Sequence, residues 1–227
     1  AHGYLNQDYC YEQLKKLTDI PIHYEGVVRT RRWAYDVISM MYPWQKQVNK
    51  IANGSGLPKK FYTKPFYMCE YAHAMGVGAG GLEDYVQAIL RGNNMMGGCI
   101  WEFADHAIYH ENGPIKYTYG GDHGENKHDS NFCVDGLFFP DRTPHSGALQ
   151  MKNCYRPVRI VKHNGDSFEF HNYKCFTKAD YTVKWNYLVD GNVAQNGEFT
   201  LDIEPRSHQT VELDIEHAKG DEAIVFT

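Results

Sequence analysis

Short apolar runs and amphipathic stretches alternate along the first hundred residues of the chain. Four runs are strand-like: PIHYEG at 21–26, VISMMYPW at 37–44, FYMCE at 66–70 and GGCIWEF at 97–103. Short apolar strands that are separated by helices and buried on both faces are typical of a parallel α/β sheet. A (β/α)8 barrel has eight such strands, so the pattern accounts for half of one.

Two segments have the spacing of amphipathic helices. In QDYCYEQLKKL at 7–17, Cys10, Leu14 and Leu17 fall at i, i+4 and i+7, which predicts one apolar stripe. The second stripe, at i, i+3, i+4 and i+7, consists of Leu82, Tyr85, Val86 and Ile89. Gly92 is the predicted end of this second helix.

The pattern changes twice in the remainder. Residues 104–135 predict a long loop rich in Tyr, His, Gly and Asp, and a loop of this length is usually functional. After Arg156 and Pro157, apolar residues alternate with polar ones, and Asp190-Gly191 is a hairpin-turn signal. We therefore predict two domains, an α/β domain at 1–155 and a small β-sandwich at 156–227.

Composition narrows the function classes. The net charge of −5 and pI of about 6.2 give no indication of nucleic-acid binding. No apolar run approaches the length of a membrane helix, so we expect no membrane association. The six cysteines are scattered without a C-x-x-C pair, which favours free thiols in a reducing, cytoplasmic compartment. The aromatic content of 14% is compatible with carbohydrate binding and equally with a packed core.

Polar and aromatic side chains follow the predicted strands, at the edge where parallel α/β folds build their sites. They are Glu25, Tyr42, Glu70, Trp101 and Glu102. A lone carboxylate after a strand is more often a helix cap or an ion-pair partner. At Glu70, however, Tyr71 and His73 are close along the chain, and this combination suits glycoside hydrolysis, which needs an attacking carboxylate.

Purely structural roles remain open for the residues near Glu70. On residue type alone, His73 would be a hydrogen-bonded histidine under the turn, and Tyr42 and Trp101 would be core aromatics. Four loop histidines have spacings that match no zinc pattern, and we interpret them as solvated side chains. They are His106, His110, His123 and His128.

The motif CEYAHAMG at 69–76 closely resembles the nucleophile motif of the glycoside hydrolase family 2 β-galactosidases. The order and approximate spacing of that family also match two motifs before this one, HYEG and MMY, and four after it, GGCIWEFAD, YGGDHG, NFCVDGL and DRTPH. The resemblance implies the second half of a catalytic (β/α)8 TIM barrel at 1–155, followed by an immunoglobulin-like β-sandwich at 156–227.

The resemblance also implies roles for individual residues. Glu70 would be the catalytic nucleophile of a retaining mechanism and would form a galactosyl-enzyme intermediate. His73 would bind sugar hydroxyls, Tyr42 would hydrogen-bond near the nucleophile, and Trp101 would offer a face to the sugar. The expected substrate is a β-galactoside such as lactose.

A sodium site is a further implication of the resemblance. It would use the backbone oxygen of Phe132 and the side chain of Asp135, where the best-known members have Asn. Val77-Gly78 after the nucleophile motif also departs from the Asn-Ser of many members. The magnesium ligands of the complete enzyme are expected upstream of this chain.

The acid/base carboxylate is expected in an Asn-Glu pair just upstream of the stretch that Ala1-His2-Gly3 resembles. We assign that role to none of Glu25, Glu102 and Asp122, so the isolated chain is expected to be inactive. A half barrel predicts pairing with the missing N-terminal half or with a second copy. The alternatives are a non-catalytic carbohydrate-binding or structural module, and a relative acting on glucuronides or mannosides.

Overall fold

The computed structural model describes residues 6–29 and 34–227. The resemblance noted at Ala1-His2-Gly3 therefore lies outside the described residues. Contacts divide the chain into two compact units, Ala1–Tyr155 and Arg156–Thr227. In the described part of the chain, every helix is too short or too polar to cross a bilayer.

A three-stranded parallel sheet organises the first unit, in the order β1-β2-β3. The strands are β1 (Ile38–Met41), β2 (Phe66–Tyr71) and β3 (Met95–Ile100). The helices are α1 (Gln7–Lys15), α2 (Gln45–Ala52), α3 (Leu82–Arg91) and α4 (Ser146–Cys154). Predictions of β2 and α3 from the apolar spacing are confirmed, and α2 and α4 were not predicted.

The core of the first unit lies on one face of this sheet. Phe66 and Met68 of β2 point there and pack with Val48 of α2 and Leu82 of α3, all essentially inaccessible to water. Alternation of side chains along a strand sends Tyr67 to the opposite face, where it is only half-buried. The expectation that every strand is buried on both faces is therefore wrong for the described residues.

The first predicted strand, PIHYEG at 21–26, is wrong: the segment is irregular, so the sheet has three described strands rather than four. Both backbone polar groups of Ile22 are taken by one neighbour, Asp36. The Ile22 N–H donates to the Asp36 carboxylate at 2.8 Å, and the Ile22 carbonyl accepts from the Asp36 N–H at 2.9 Å. These bonds leave Ile22 no ladder partner.

Three further expectations need correction. Helix α1 ends at Lys15, so Leu17 lies beyond it, and the predicted stripe is exposed, with Leu14 44% and Leu17 83% accessible, whereas the buried residue of the helix is Gln7. Strand β3 begins two residues early and ends before Trp101. The 104–135 loop contains a short hairpin, β4 (Ile108–Tyr109) with β5 (Tyr117–Thr118).

The second unit consists of two three-stranded antiparallel sheets. One has the order β10-β7-β6 and the other β11-β8-β9. The strands are β6 (Val158–Asn164), β7 (Ser167–Asn172), β8 (Ala179–Val189), β9 (Asn192–Ile203), β10 (His208–Glu212) and β11 (Glu222–Phe226).

The core of the second unit follows the predicted period of two. Trp185 and Tyr187 of β8 are buried with Phe168 and Phe170 of β7. The predicted hairpin is confirmed between β8 and β9, where Asp190 and Gly191 have φ angles of 49° and 78°. Positive φ at both central residues matches the right-handed twist of the flanking strands.

Candidate active site

The carboxyl ends of the three parallel strands meet at one edge of the sheet. Met41, the last residue of β1, is opposite Glu70 of β2, and the Tyr42 N–H donates to the Glu70 carbonyl at 2.8 Å. On the other side, the Trp101 N–H donates to the Tyr71 carbonyl at 3.1 Å. Tyr42, Glu70 and Trp101 are therefore placed side by side by backbone hydrogen bonds alone.

Glu70 is 9% exposed, and its carboxylate accepts a hydrogen bond from the Tyr42 hydroxyl. Burial, followed by this bond and the charge of Glu70, raises the pKa of Tyr42 far above its usual value. Tyr42 consequently remains a neutral donor. A neutral hydroxyl that points at a nearly buried carboxylate holds that carboxylate in one orientation.

The chain turns sharply after β1 and again after β2. Tyr42 has a φ angle of 48° and Ala72 of 50°, both in the left-handed region that non-glycine residues rarely adopt. Such conformations cost of order 1 kcal/mol each and cluster at functional sites. Tyr71, between Glu70 and Ala72, anchors the end of β2: its side chain is inaccessible and its hydroxyl bonds that of Tyr155.

Asp135 links two of the predicted sugar-binding residues. Its side chain is 3% exposed, and its Oδ2 accepts from the Trp101 Nε1–H at 3.0 Å and lies 3.5 Å from His73 Nε2. The His73 ring centroid lies 5.8 Å from that of Tyr42 and 5.9 Å from that of Phe132. The structure thus brings all six residues proposed from the sequence into one connected group.

Glu102 is a member of the site that the sequence analysis did not assign. Burial, followed by a hydrogen bond with Asp135 and the charge of Asp135, raises the pKa of Glu102 to about 7. His106 Nδ1 lies 3.6 Å from Glu102 Oε1. Two carboxyl groups in contact favour sharing one proton or one cation. The position of Glu102 at a strand end was the only sequence signal.

The buried oxygen Asp135 Oδ1 has no hydrogen-bond donor among the described residues. A buried carboxylate oxygen without a donor is unfavourable unless a cation or water satisfies it. Hard oxygen ligands of this kind suit an alkali or alkaline-earth cation. The unsatisfied oxygen of Asp135 is thus compatible in chemistry with the cation that the resemblance implied, and Phe132 lies in the same group of residues through its ring contact with His73.

The loop histidines take part in local hydrogen bonds. His110 Nε2 and His123 Nε2 lie 2.7 and 2.8 Å from the same hydroxyl oxygen, that of Thr118. The His128 Nδ1 accepts from the Ser130 N–H at 3.1 Å. Over residues 6–29 and 34–227, no three His, Cys, Asp or Glu side chains are grouped to hold a metal ion.

Comparison with known families gives one strong match. The model of the TIM barrel domain of glycosyl hydrolases family 2 matches residues 4–160. A solved structure of a Bacteroides uniformis beta-glucuronidase aligns over 86% of this chain and 26% of its own, at 13% identity. The TM-score of this alignment is 0.36.

Curated relatives are named beta-galactosidase. That of Actinobacillus pleuropneumoniae is 45% identical over 159 residues, which cover 69% of this chain and 15% of that protein. That of Staphylococcus xylosus is 36% identical over 208 residues, which cover 85% of this chain and 20% of that protein. Beta-galactosidase 2 of Enterobacter cloacae is 33% identical over 234 residues, which cover 97% of this chain and 22% of that protein. The chain spans about a fifth of the length of these relatives.

Proposed function

The chain belongs to family 2 of the glycosyl hydrolases, with an α/β TIM-barrel-related first unit, and on that premise we propose that it is part of a retaining β-galactosidase. The observation that carries the proposal is the hydrogen-bonded edge at which Tyr42 holds the carboxylate of Glu70 beside Trp101 and His73. The names of the relatives support galactose as the sugar.

In the proposed reaction, the Glu70 carboxylate attacks the anomeric carbon of the galactoside. A bond forms between that carbon and a Glu70 oxygen as the glycosidic C–O bond breaks, and a carboxylic acid protonates the departing oxygen. The same acid, now a base, then takes a proton from water, which attacks the anomeric carbon and releases Glu70. Tyr42 orients the Glu70 carboxylate for the first step.

We propose that Trp101, His73 and Asp135 hold the sugar. The Trp101 ring offers an apolar face while its Nε1–H is tied to Asp135, and His73 Nε2 faces sugar hydroxyls. A sodium ion bound by Asp135 and the Phe132 carbonyl would supply coordination to a sugar hydroxyl. The unsatisfied Asp135 Oδ1 supports this assignment.

We further propose that the acid/base carboxylate belongs to a part of the relatives that this chain does not span. The two carboxyl groups of a retaining glycosidase stand about 5 Å apart across the scissile bond. Glu102 has a raised pKa, but its contacts are with Asp135 and His106. We therefore assign Glu102 to the charge balance of the sugar site.

The remaining architecture is also part of the proposal. Tyr67 and Cys99, which bond each other on the half-exposed face of the sheet, would be covered by the rest of the barrel. The two antiparallel sheets and aromatic core of the second unit support an immunoglobulin-like domain following that barrel.

Covalent trapping tests the proposal directly. The longer protein that contains this chain would be incubated with a 2-deoxy-2-fluoro-galactoside carrying an activated leaving group, and the labelled peptide identified by mass spectrometry. We expect the label on Glu70, and none after Glu70→Gln, with activity lowered by about 10⁴-fold or more. Glu111→Gln, at an exposed loop carboxylate, is the matched control.

The rivals predict other outcomes. Normal hydrolysis by the Glu70→Gln protein would favour a non-catalytic carbohydrate-binding or structural module. Preferential labelling by the glucuronic-acid or mannose analogue would keep the mechanism and change the sugar. The purified 227-residue chain should not hydrolyse a nitrophenyl galactoside, and turnover by it would contradict the proposed need for an acid outside this chain.

A further inference from the structure

A second carboxylate, Asp105, lies buried beside the segment that carries Asp135. Asp105 is 3% exposed, and both of its oxygens are used. Oδ1 accepts from the Gly136 N–H at 2.8 Å, and Oδ2 lies 2.9 Å from Nε2 of His145. Gly136 directly follows Asp135, so one carboxylate joins the backbone next to the sugar site to a histidine at the start of α4.

The segment 135–138 is held on two sides by backbone hydrogen bonds. On one side, the Glu102 N–H donates to the Asp135 carbonyl at 3.0 Å and the Asp105 N–H donates to the Phe138 carbonyl at 2.8 Å. On the other side, the His145 N–H donates to the Leu137 carbonyl at 3.0 Å. The segment that contains Asp135 is therefore hydrogen-bonded to two backbone segments, one that contains Asp105 and one that contains His145.

At Gly136, the backbone of segment 135–138 closely approaches the backbone of Ala104 and Asp105. A Cβ at this position would lie 2.2 Å from the backbone nitrogen of Asp105 and 2.2 Å from the carbonyl carbon of Ala104. These neighbours are backbone atoms, which cannot move aside by a change of side-chain rotamer. The close packing at Gly136 thus restricts movement of its N–H relative to the Asp105 carboxylate.

The position of the Asp135 carboxylate decides where two sugar-facing groups lie. Its Oδ2 takes the hydrogen of Trp101 Nε1 at 3.0 Å and stands 3.5 Å from His73 Nε2. A rotation of the 135–136 backbone would move that oxygen and release both contacts. The geometry of the sugar site therefore depends on what holds Gly136.

His145 supplies a donor to Asp105 and a packed ring. The His145 ring is stacked on Phe139, with centroids 3.7 Å apart, and its side chain is 21% exposed. A buried carboxylate that loses one donor keeps the desolvation penalty of the unpaired oxygen. Without the His145 hydrogen bond, the Asp105 carboxylate would favour a different orientation, away from Gly136.

We propose that Asp105 and His145 are a positioning pair, which fixes the Asp135 carboxylate and through it Trp101 and His73. Neither residue touches the Glu70 carboxylate in the hydrogen bonds of the site. The role in sugar binding rests on the proposed function, whereas the positioning itself is a property of this chain.

The test uses Trp101 as a reporter in the chain itself. The protein has four tryptophans, and a spectrum of indole ¹⁵N–H groups contains the Trp101 signal beside those of Trp44 and Trp185, which serve as internal controls. Trp101→Phe assigns the site signal. His145→Phe keeps a ring against Phe139 and removes the donor, whereas His145→Gln keeps a donor and removes the ring.

We expect His145→Phe to shift the Trp101 indole signal by more than its linewidth and to leave the Trp44 and Trp185 signals in place. His145→Gln should leave the Trp101 signal within its linewidth. An unmoved Trp101 signal in His145→Phe, an equal shift in His145→Gln, or displacement of the Trp44 and Trp185 signals as well would each overturn the proposal.

Wild-type protein gives an independent measurement if a variant does not fold. Ring ¹⁵N shifts of His145 should show a proton on Nε2, the nitrogen that faces Asp105. A tautomer with Nε2 unprotonated would remove the donor on which the pair depends, and would overturn the proposal as surely as an unmoved Trp101 signal.

Kinetics of the longer protein separate the two proposals. His145→Phe should lower kcat/KM by roughly tenfold to a hundredfold, as misplacement of a binding group does, with His145→Gln restoring most of it. Labelling of Glu70 with no shift at Trp101 would reject the positioning pair alone. A shift at Trp101 without labelling of Glu70 would reject the proposed function and leave the pair intact.

Discussion

Buried polar groups are treated differently in the two units of the chain. In the second unit, the Asn172 side chain is inaccessible, and both its amide nitrogen and its oxygen form hydrogen bonds. Its amide donates to the carbonyls of Thr177, Ile203 and Glu204 at 3.1, 3.0 and 3.3 Å. Its oxygen accepts from the Lys174 N–H at 3.0 Å. One residue thus ties together the ends of β7 and β9.

In the first unit, Asp135 is equally buried, yet one of its oxygens has no donor among the described residues and its neighbour Glu102 is a second carboxyl group. A polar group that serves folding is satisfied by the fold itself. A polar group that serves binding is left with capacity for a ligand. The contrast predicts that substitutions in the two places differ in stability and in activity.

The largest effect on stability is expected at Asn172. Asn172→Ala leaves three carbonyls and one N–H without their partner, which should lower the free energy of unfolding by about 3 kcal/mol. Urea unfolding, with amide hydrogen exchange read in β7 to β10, measures the loss. The control is Asn192→Ala, which removes one exposed hydrogen bond to the Asp190 carbonyl. Equal losses in the two variants would break the comparison.

Asp36 tests whether the first unit also contains a satisfied structural carboxylate. Burial alone would raise the pKa of Asp36. Hydrogen bonds from the Ile22 N–H, Lys15 and Tyr11 outweigh it and lower that pKa to about 2. Lowering the pKa of Asp36 from 3.8 to about 2 corresponds to a contribution of roughly 2 kcal/mol to the free energy of unfolding.

Because the folded-state pKa is depressed, this contribution is present above about pH 4 and is lost as the pH falls towards 2. Asp36→Asn should therefore be less stable than the wild type by roughly 2 kcal/mol at pH 7. The difference should shrink as the pH falls below 4, in urea unfolding measured across that range. Asp129→Asn, at an exposed carboxylate, should show no such convergence.

Local signals in the sequence were sufficient for elements whose pattern is fixed by neighbours along the chain. Strand β2 and helix α3 follow from apolar spacing, and the β8–β9 hairpin follows from Asp190-Gly191. The stripe predicted for α1 also has helical spacing, but Leu14 and Leu17 are exposed and Leu17 lies beyond the end of the helix. Periodicity predicts which residues share a face, and tertiary contacts decide whether that face is covered.

The candidate site was predictable only in part for a related reason. Glu70 stands out because it follows an apolar strand, and the resemblance supplied Asp135. The contacts of Asp135 with Glu102 and of Gly136 with Asp105 join positions about thirty residues apart across irregular backbone. Irregular backbone has no period, so no pattern in the sequence indicates which of its residues meet.

Tyr42 should show the reverse of the behaviour of Asn172. Tyr42→Phe removes the hydroxyl that donates to Glu70 and keeps the ring beside His73. We expect the free energy of unfolding to fall by about 1 kcal/mol, less than for Asn172→Ala, since only one hydrogen bond is lost. In the longer protein, kcat should fall by roughly tenfold, equivalent to about 1.4 kcal/mol.

Parallel unfolding and steady-state measurements on the same preparation test this pairing of results. Tyr24→Phe is a matched change at another half-buried tyrosine of the first unit. A Tyr42→Phe protein that loses stability but retains kcat would show that this hydroxyl belongs to the fold rather than to the site.

The smallest effect is expected at the surface of the second unit, where His217 bridges two carboxylates. Its Nδ1 lies 2.8 Å from Glu222 Oε2, and its Nε2 lies 3.0 Å from Asp166 Oδ2. The hydrogen bond to Glu222, followed by that to Asp166, raises the pKa of His217 above 6.5. The stabilisation is thus fully present below about pH 6.5 and is lost as the pH rises through the folded-state pKa.

His217→Gln should accordingly lower the urea midpoint slightly at pH 5.5 and leave it nearly unchanged at pH 8.5. His163→Gln, at an exposed histidine lining the same surface cavity, should show no such difference between the two pH values. A His217→Gln effect that persists at pH 8.5 would mean that the bridge does not depend on the charge of the imidazole. The surface of the second unit would then be stabilised, like its interior at Asn172, by hydrogen bonds that need no ionised partner.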